Sequence, residues 1–267
     1  MQYKIDHDYH IHSQLSLCSN DPEQNPARIL RYAEENGYRQ IVLTDHYWDE
    51  NVPGASEWYS KQDTPHIEQA LPLPQGEHVK FLFGAETDMD KYCTVGVSDK
   101  MLDKLDFIII PTTHLHMTGF TIDPKDDALD RRAALYVERL DRLLDMDLPF
   151  HKIGVAHLTC SLAARRYIGD DMTVLDMLDL IEDDTFRELF ARMAKCGAGF
   201  ELNFPLDLYE GTARERVLRP YRIAKDCGCK FYFGSDAHHP AGLDAAPQLF
   251  RDTVEALGLE EEDKFLL

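Results

Sequence analysis

The sequence predicts an α/β fold on a parallel sheet, open or closed into a barrel. Three observations carry that expectation. Apolar runs of strand length recur along all 267 residues, helical patterns lie between them, and no Ser/Gly-rich linker, low-complexity tract or repeat interrupts the alternation. Strand and helix in alternation imply a parallel sheet, and the absence of a linker implies one domain over 1–267.

In order, the strands are expected at Tyr3 to Tyr9, Gln40 to Thr44, Val79 to Gly84, Phe107 to Pro111, Lys152 to Ala156, Gly199 to Leu202 and Lys230 to Gly234. The first helix has Asn25 as its cap, Pro26 at its first position, an apolar face of Ile29, Leu30 and Ala33, and Gly37 as its stop. Ser98 starts a short helix. Asp126 to Met146 carries Leu129, Ala133, Leu140, Leu143 and Leu144 at helical spacing. Asp184 is expected to cap a helix ending near Gly197, and Thr212-Ala213-Arg214-Glu215 has the spacing of a capping box opening a helix to about Lys225. Two stretches break the alternation: Tyr47 to Gly76, rich in Pro, Trp and Tyr, and Thr118 to Pro124. Both are expected as loops over the face carrying the strand C-termini, with 47–76 a lid.

Composition narrows the function classes. With 44% hydrophobic and 28% charged residues the chain is that of an ordinary globular protein, which excludes disordered, collagen-like and coiled-coil classes. The 48 Asp and Glu against 28 Lys and Arg leave a formal charge of −20, which opposes binding to nucleic acid or to an anionic membrane. No apolar signal core follows Met1, and no run approaches the roughly 18 uncharged apolar residues that span a bilayer, so a cytoplasmic protein is expected. The six cysteines have no framework spacing and are read as reduced thiols.

The chemistry concentrates where the expected strands end, the side on which loops of parallel sheets converge. These ends read Asp8-Tyr9-His10-Ile11-His12, Thr44-Asp45-His46, Gly84-Ala85-Glu86, Thr112-Thr113-His114-Leu115-His116, Ala156-His157, Glu201-Leu202-Asn203 and Gly234-Ser235-Asp236-Ala237-His238-His239. Eight of the 12 histidines lie there. His10 and His12 alternate on an extended segment, so both rings share one face and can grip one ion. Asp236 and His238 repeat the arrangement on the last strand. His7, His66, His78 and His151 are read as solvated or structural, and His239 should point away from His238.

The ordered set His-x-His, Thr-Asp-His, Glu, His, His, Ser-Asp-Ala-His resembles the polymerase and histidinol phosphatase (PHP) family of metal-dependent phosphoesterases, from about Tyr3 to His239. The resemblance implies a distorted seven-stranded, TIM-like (β/α)7 barrel. It implies a first metal site of His10, His12, Glu86 and Asp236, a second sharing Glu86 with His114 and His157, and a third using His46 and His238. The family places a further His or Asp ligand where this chain has Cys18, with Asp21 close by, so either of these is expected to complete the third site, or that ion is absent. His116 is the rival of His114, and Glu201 is a further candidate ligand.

Histidines mixed with carboxylates suit Zn, Mn or Fe, and two to three divalent ions are expected. The expected reaction is hydrolysis of a small phosphomonoester, histidinol phosphate or a related phosphorylated alcohol, by a bridging hydroxide attacking phosphorus in line. Asp236, His46 and His238 are the catalytic candidates, with His238 or His46 protonating the leaving oxygen. Arg165 and Arg166 are candidates to clamp the phosphate. Two other readings stand beside this one: an amidohydrolase-type hydrolase, disfavoured by the absence of a lysine at a middle strand end, and a non-catalytic metal-binding module. The oligomeric state is not legible.

Overall fold

The computed structural model describes residues 1–164 and 174–267. Its strands are β1 (His7–Ile11), β2 (Gln40–Leu43), β3 (His46–Tyr47), β4 (Lys80–Phe83), β5 (Ala85–Thr87), β6 (Ile108–Ile109), β7 (Ile153–Val155), β8 (Gly199–Leu202) and β9 (Lys230–Phe233). The α-helices are α1 (Pro26–Glu35), α2 (Thr64–Ile67), α3 (Asp99–Lys104), α4 (Leu129–Leu144), α5 (Val174–Leu178), α6 (Asp183–Cys196), α7 (Gly211–Asp226) and α8 (Pro240–Leu257). Every pairing between these strands is parallel.

Among the described residues the seven expected strands become nine, because two passages of chain change partner midway. The second breaks at Thr44-Asp45 between β2 and β3, and the third hands over from β4 to β5 at Gly84. There Gly84 N–H still bonds Leu43 on one side, while Ala85 N–H already bonds Phe107 on the other. A side chain at Gly84 would collide with the Phe107 carbonyl and come within 2.7 Å of Val42 Cγ1, so only glycine permits the crossing. The result is a three-stranded sheet, β1-β2-β4, and a six-stranded sheet, β3-β5-β6-β7-β8-β9. Among the described residues no single closed ladder joins them. Beyond the ends of β1 and β9, Asp236 N–H donates to His10 O (2.8 Å) and His12 N–H to Ala237 O (3.2 Å).

The alternation of strand residues sorts the core. One face of the strands, including Ile41, Leu43, Phe81, Ile108, Val155 and Phe231, packs with the helices in the main hydrophobic cluster. The opposite face, Tyr9, Val42, Leu82, Phe107, Ile109, Ala156 and Tyr232, forms a second cluster with Phe265. That cluster draws on both sheets, and Tyr9 meets Phe107 and Tyr232 with ring centroids 5.6 and 6.1 Å apart.

Several boundaries differ from expectation. β1 starts at His7 because Tyr3 is held elsewhere, its hydroxyl donating to Phe231 O (2.7 Å). α7 opens one residue before Thr212 and α6 one before Asp184, with Glu210 and Glu182 at the N-caps and no side-chain cap bond at either. α1 follows the sequence closely, with Asn25 accepting from Arg28 N–H. The C-terminal helix α8, begun by Pro240, was not anticipated. No helix among the described residues is long and apolar enough to cross a membrane.

Candidate metal centre

The end of β1, β5 and the turn after β9 deliver the first group of side chains. His10, His12, Glu86 and Asp236 form one cluster of ligand atoms. His10 Nε2 and His12 Nε2 lie 3.0 Å apart. Glu86 Oε2 is 3.5 and 3.3 Å from them, and Asp236 Oδ1 is 3.4 and 3.1 Å from them. A tetrahedral ion with bonds of about 2.0–2.1 Å sets neighbouring ligand atoms about 3.3–3.4 Å apart, so these separations fit one such ion.

The hydrogen bonds on the far sides of the rings decide what faces inward. His10 Nδ1 is 2.5 Å from Glu201 Oε1, a carboxylate that only accepts, so Nδ1 carries the proton. His12 Nδ1 bonds Ser16 Oγ (2.8 Å), whose own proton goes to Asp45 Oδ1 (2.7 Å). With their Nδ1 atoms engaged, His10 and His12 in neutral form would aim two lone pairs at two carboxylate oxygens, an arrangement that could hold a metal ion.

Glu86 extends the centre in a second direction. Its Oε1 lies 3.0 Å from His157 Nε2, and Glu86, His114 and His157 form a further ligand group. His114 Nδ1 bonds Asp88 Oδ2 (2.9 Å), which leaves Nε2 for that group. A third group joins His12, His46 and His238. His46 Nδ1 is 2.9 Å from Glu86 Oε2, yet both atoms are buried without a hydrogen bond, as expected of atoms meant for a metal. His157 (φ 63°) and Asp236 (φ 53°) hold left-handed conformations at the site, each costing about 1–3 kcal/mol.

Electrostatics follows from this crowding. Burial opposes charge on His10, but Glu201, Asp236 and Glu86 outweigh it and hold its pKa well above the ordinary value. His157 is likewise raised to about 9, Glu201 and Asp236 overcoming burial. Burial works against Glu86, yet His46 and His10 keep its carboxyl well below the usual range. Burial, with His12 beside it, pushes His238 down to about 3.

The centre floors a cavity of about 550 Å³ whose mouth carries Trp58, Met117, Phe120 and Leu162. Trp58 stands edge-on to His46, centroids 5.0 Å apart. Tyr59, on the same 47–76 segment, donates its hydroxyl to Asp88 Oδ2 (3.2 Å).

No family model and no curated protein sequence matches the chain. Solved structures do. A histidinol phosphate phosphatase from Lactococcus lactis subsp. lactis, complexed with zinc, L-histidinol and phosphate, superposes with TM-score 0.62 at 17% identity, covering 98% of this chain and 99% of that one. A histidinol phosphatase candidate from Listeria monocytogenes gives TM-score 0.60 at 16% identity, covering 88% and 96%. The fold is that of these phosphatases.

Several candidate residues fall elsewhere than the sequence suggested. Cys18 lines the cavity but belongs to none of the ligand groups among the described residues. Its loop is turned by Ser13 and Ser16 bonding Asp45 and by Ser19 bonding His238 O, which leaves Cys18 exposed at the mouth with its thiol pushed up to about 12 by partial burial and by Glu86 and Asp236. Asp21 instead faces His239, 3.5 Å away. His116 sits at the cavity wall, and His114 is the histidine grouped with Glu86. Glu201, by contrast, does join a ligand group, with His10 and His157 on the Nδ1 side of both rings: Oε1 meets His10 Nδ1, and Oε2 accepts from His157 N–H (3.0 Å) and lies 3.6 Å from its Nδ1. Gly234 makes room for it, since a Cβ there would strike Glu201 Oε1 and lie 2.6 Å from His10 Cβ. Arg165 and Arg166 lie outside the described residues. Sequence reasoning missed Asp88 and Ser16. Asp88 shares the extended face of Glu86 two residues on, a spacing that could have revealed it.

Proposed function

We propose that this chain is a metal-dependent phosphatase acting on a small phosphomonoester, with two to three divalent ions drawn from Zn, Mn and Fe. The observation that carries the reading is Glu86, which offers one carboxylate oxygen to each of two adjacent ligand groups. His10, His12, Glu86 and Asp236 hold the first ion in this reading, Glu86, His114 and His157 the second, and His12, His46 and His238 group at a third. Ions held by these residues would supply Lewis acidity toward a phosphoryl oxygen and a hydroxide nucleophile near neutral pH.

The chain's own residues do the rest. Asp236 turns Oδ1 toward His12 and His10 and Oδ2 toward His157 (3.9 Å), so one side chain ties the two sites together. His238 donates Nδ1–H to Asp236 O (2.8 Å), and its lowered pKa suits a neutral ligand better than a proton donor. Trp58, Phe120, Met117 and Leu162 shed water from the mouth, and 47–76 acts as the lid of a one-domain protein whose two sheets form the wall of a seven-passage, irregular barrel. The zinc, L-histidinol and phosphate of the Lactococcus lactis structure support histidinol phosphate or a related phosphorylated alcohol as substrate. The charge of −20 argues against a nucleic-acid substrate.

The test is hydrolysis of phosphomonoesters, diesters and oligonucleotides by protein reconstituted with Zn, Mn or Fe. Fast turnover of small monoesters is expected. Oligonucleotide cleavage exceeding every monoester, or no phosphoester turnover with any metal, overturns the reading.

A further inference from the structure

The loop after His12 contains a hydroxyl with an unusually complete set of partners. Ser16 is fully buried, and its Oγ meets three groups: Asp45 Oδ1 (2.7 Å), His12 Nδ1 (2.8 Å) and the backbone N–H of His46 (3.1 Å). Asp45, also buried, accepts in addition from Ser13 N–H and Ser13 Oγ, both at 2.7 Å. A carboxylate and a backbone N–H have fixed roles, one accepting and one donating. The Ser16 proton must therefore point at Asp45, and both oxygen lone pairs face donors. One of those donors is His46 N–H. The other is His12, which is thereby obliged to carry its proton on Nδ1.

We propose that Ser16 is a positioning residue: with Asp45 behind it, its hydroxyl fixes the His12 tautomer that turns the Nε2 lone pair into the metal cage, and the same oxygen anchors the strand that brings His46. The proposal rests on the metal reading above. Its physical content is a competition. Without an acceptor at Nδ1, His12 is free to move its proton to Nε2, from which Asp236 Oδ1 (3.1 Å) and Glu86 Oε2 (3.3 Å) are in reach. That internal hydrogen bond closes the cage against an ion. Ser16 removes the competing state by accepting a hydrogen bond from Nδ1–H, a role usually filled by a carboxylate or carbonyl acting directly on the ring.

The experiment compares wild type with Ser16→Ala and Ser16→Thr, each stripped with chelator and titrated with zinc against a competing chelator. Circular dichroism checks folding, and the histidine ¹⁵N spectrum of the zinc-loaded protein reads His12. Ser16→Ala is expected to bind zinc about 10- to 100-fold more weakly. The slowly exchanging Nδ1–H of His12 should become fast exchanging, while Ser16→Thr restores both properties. A folded Ser16→Ala protein with zinc affinity within threefold of wild type overturns the proposal, as does an equal loss in folded Ser16→Thr. If Ser16→Ala does not fold, the wild-type spectrum decides, and an unprotonated His12 Nδ1 refutes the relay. A wild-type protein that holds no zinc, Mn or Fe instead defeats the metal reading itself.

Discussion

Replacing Glu86 by Gln keeps the size of the side chain while removing its charge and one of its acceptor oxygens. Glu86 Oε2 belongs to the first ligand group and Oε1 to the second, with His12 Nε2 3.3 Å from one and His157 Nε2 3.0 Å from the other. Losing an outer partner of a metal ligand typically costs about 10- to 100-fold in affinity, and losing a ligand itself should cost at least the upper end of that range. The site facing the amide nitrogen would then lose about 100-fold, about 2.8 kcal/mol at 1.4 kcal/mol per tenfold, and the other would keep a neutral oxygen in place of a charged one. His46 Nδ1, 2.9 Å from Oε2, meets the same loss. Chelator competition with elemental analysis measures the outcome, and Glu86→Ala should behave at least as badly. A folded Glu86→Gln protein that retains two equivalents of zinc with affinities within threefold of wild type would refute the shared-ligand geometry.

Zinc titrated into metal-free protein at pH 7 should release protons, because carboxylates hold His10, His12 and His157 above their ordinary values; calorimetry in buffers of different ionisation enthalpy counts them. The sign for stability without metal is opposite to that for metal binding. His157 rises from 6.5 to about 9 on folding, so its contribution is complete below pH 6.5 and lost by pH 9, lowering Tm of the chelated protein by about 5 °C or more, whereas metal affinity grows over the same range. Glu86 and Asp236, depressed on folding, add stability that is lost as pH falls below their ordinary values. Gly234→Ala should push Glu201 off His10, weakening zinc binding about tenfold or more in a protein whose circular dichroism is unchanged; undiminished affinity would show that Glu201 does not set the His10 ring.

Read along the chain alone, the alternation of apolar runs and helix signals sufficed for a parallel α/β fold, and α1 was legible down to its Asn25 cap because capping is local chemistry. The residue types of the candidate centre were legible too. His10, His12, Glu86, His114, His157 and Asp236 sit at strand ends, and parallel strands present those ends on one surface whatever the packing around them.

Three features were decided only in three dimensions. The handover within the third passage depends on Gly84 passing the Phe107 carbonyl, a contact between segments more than 20 residues apart that no local pattern encodes. Glu201 and Cys18 both carry metal-binding chemistry in sequence, but which of them joins a ligand group and which only lines the cavity depends on side-chain direction. Glu201 reaches the Nδ1 side of His10, across 191 positions of chain, and Cys18 is turned to the mouth by a loop that Asp45 holds. Residue type is local information, whereas the face of a ring that meets a carboxylate is set by how distant strands settle against one another. For that reason the sequence determined which chemistry is present, and the tertiary structure alone decided which atoms face one another.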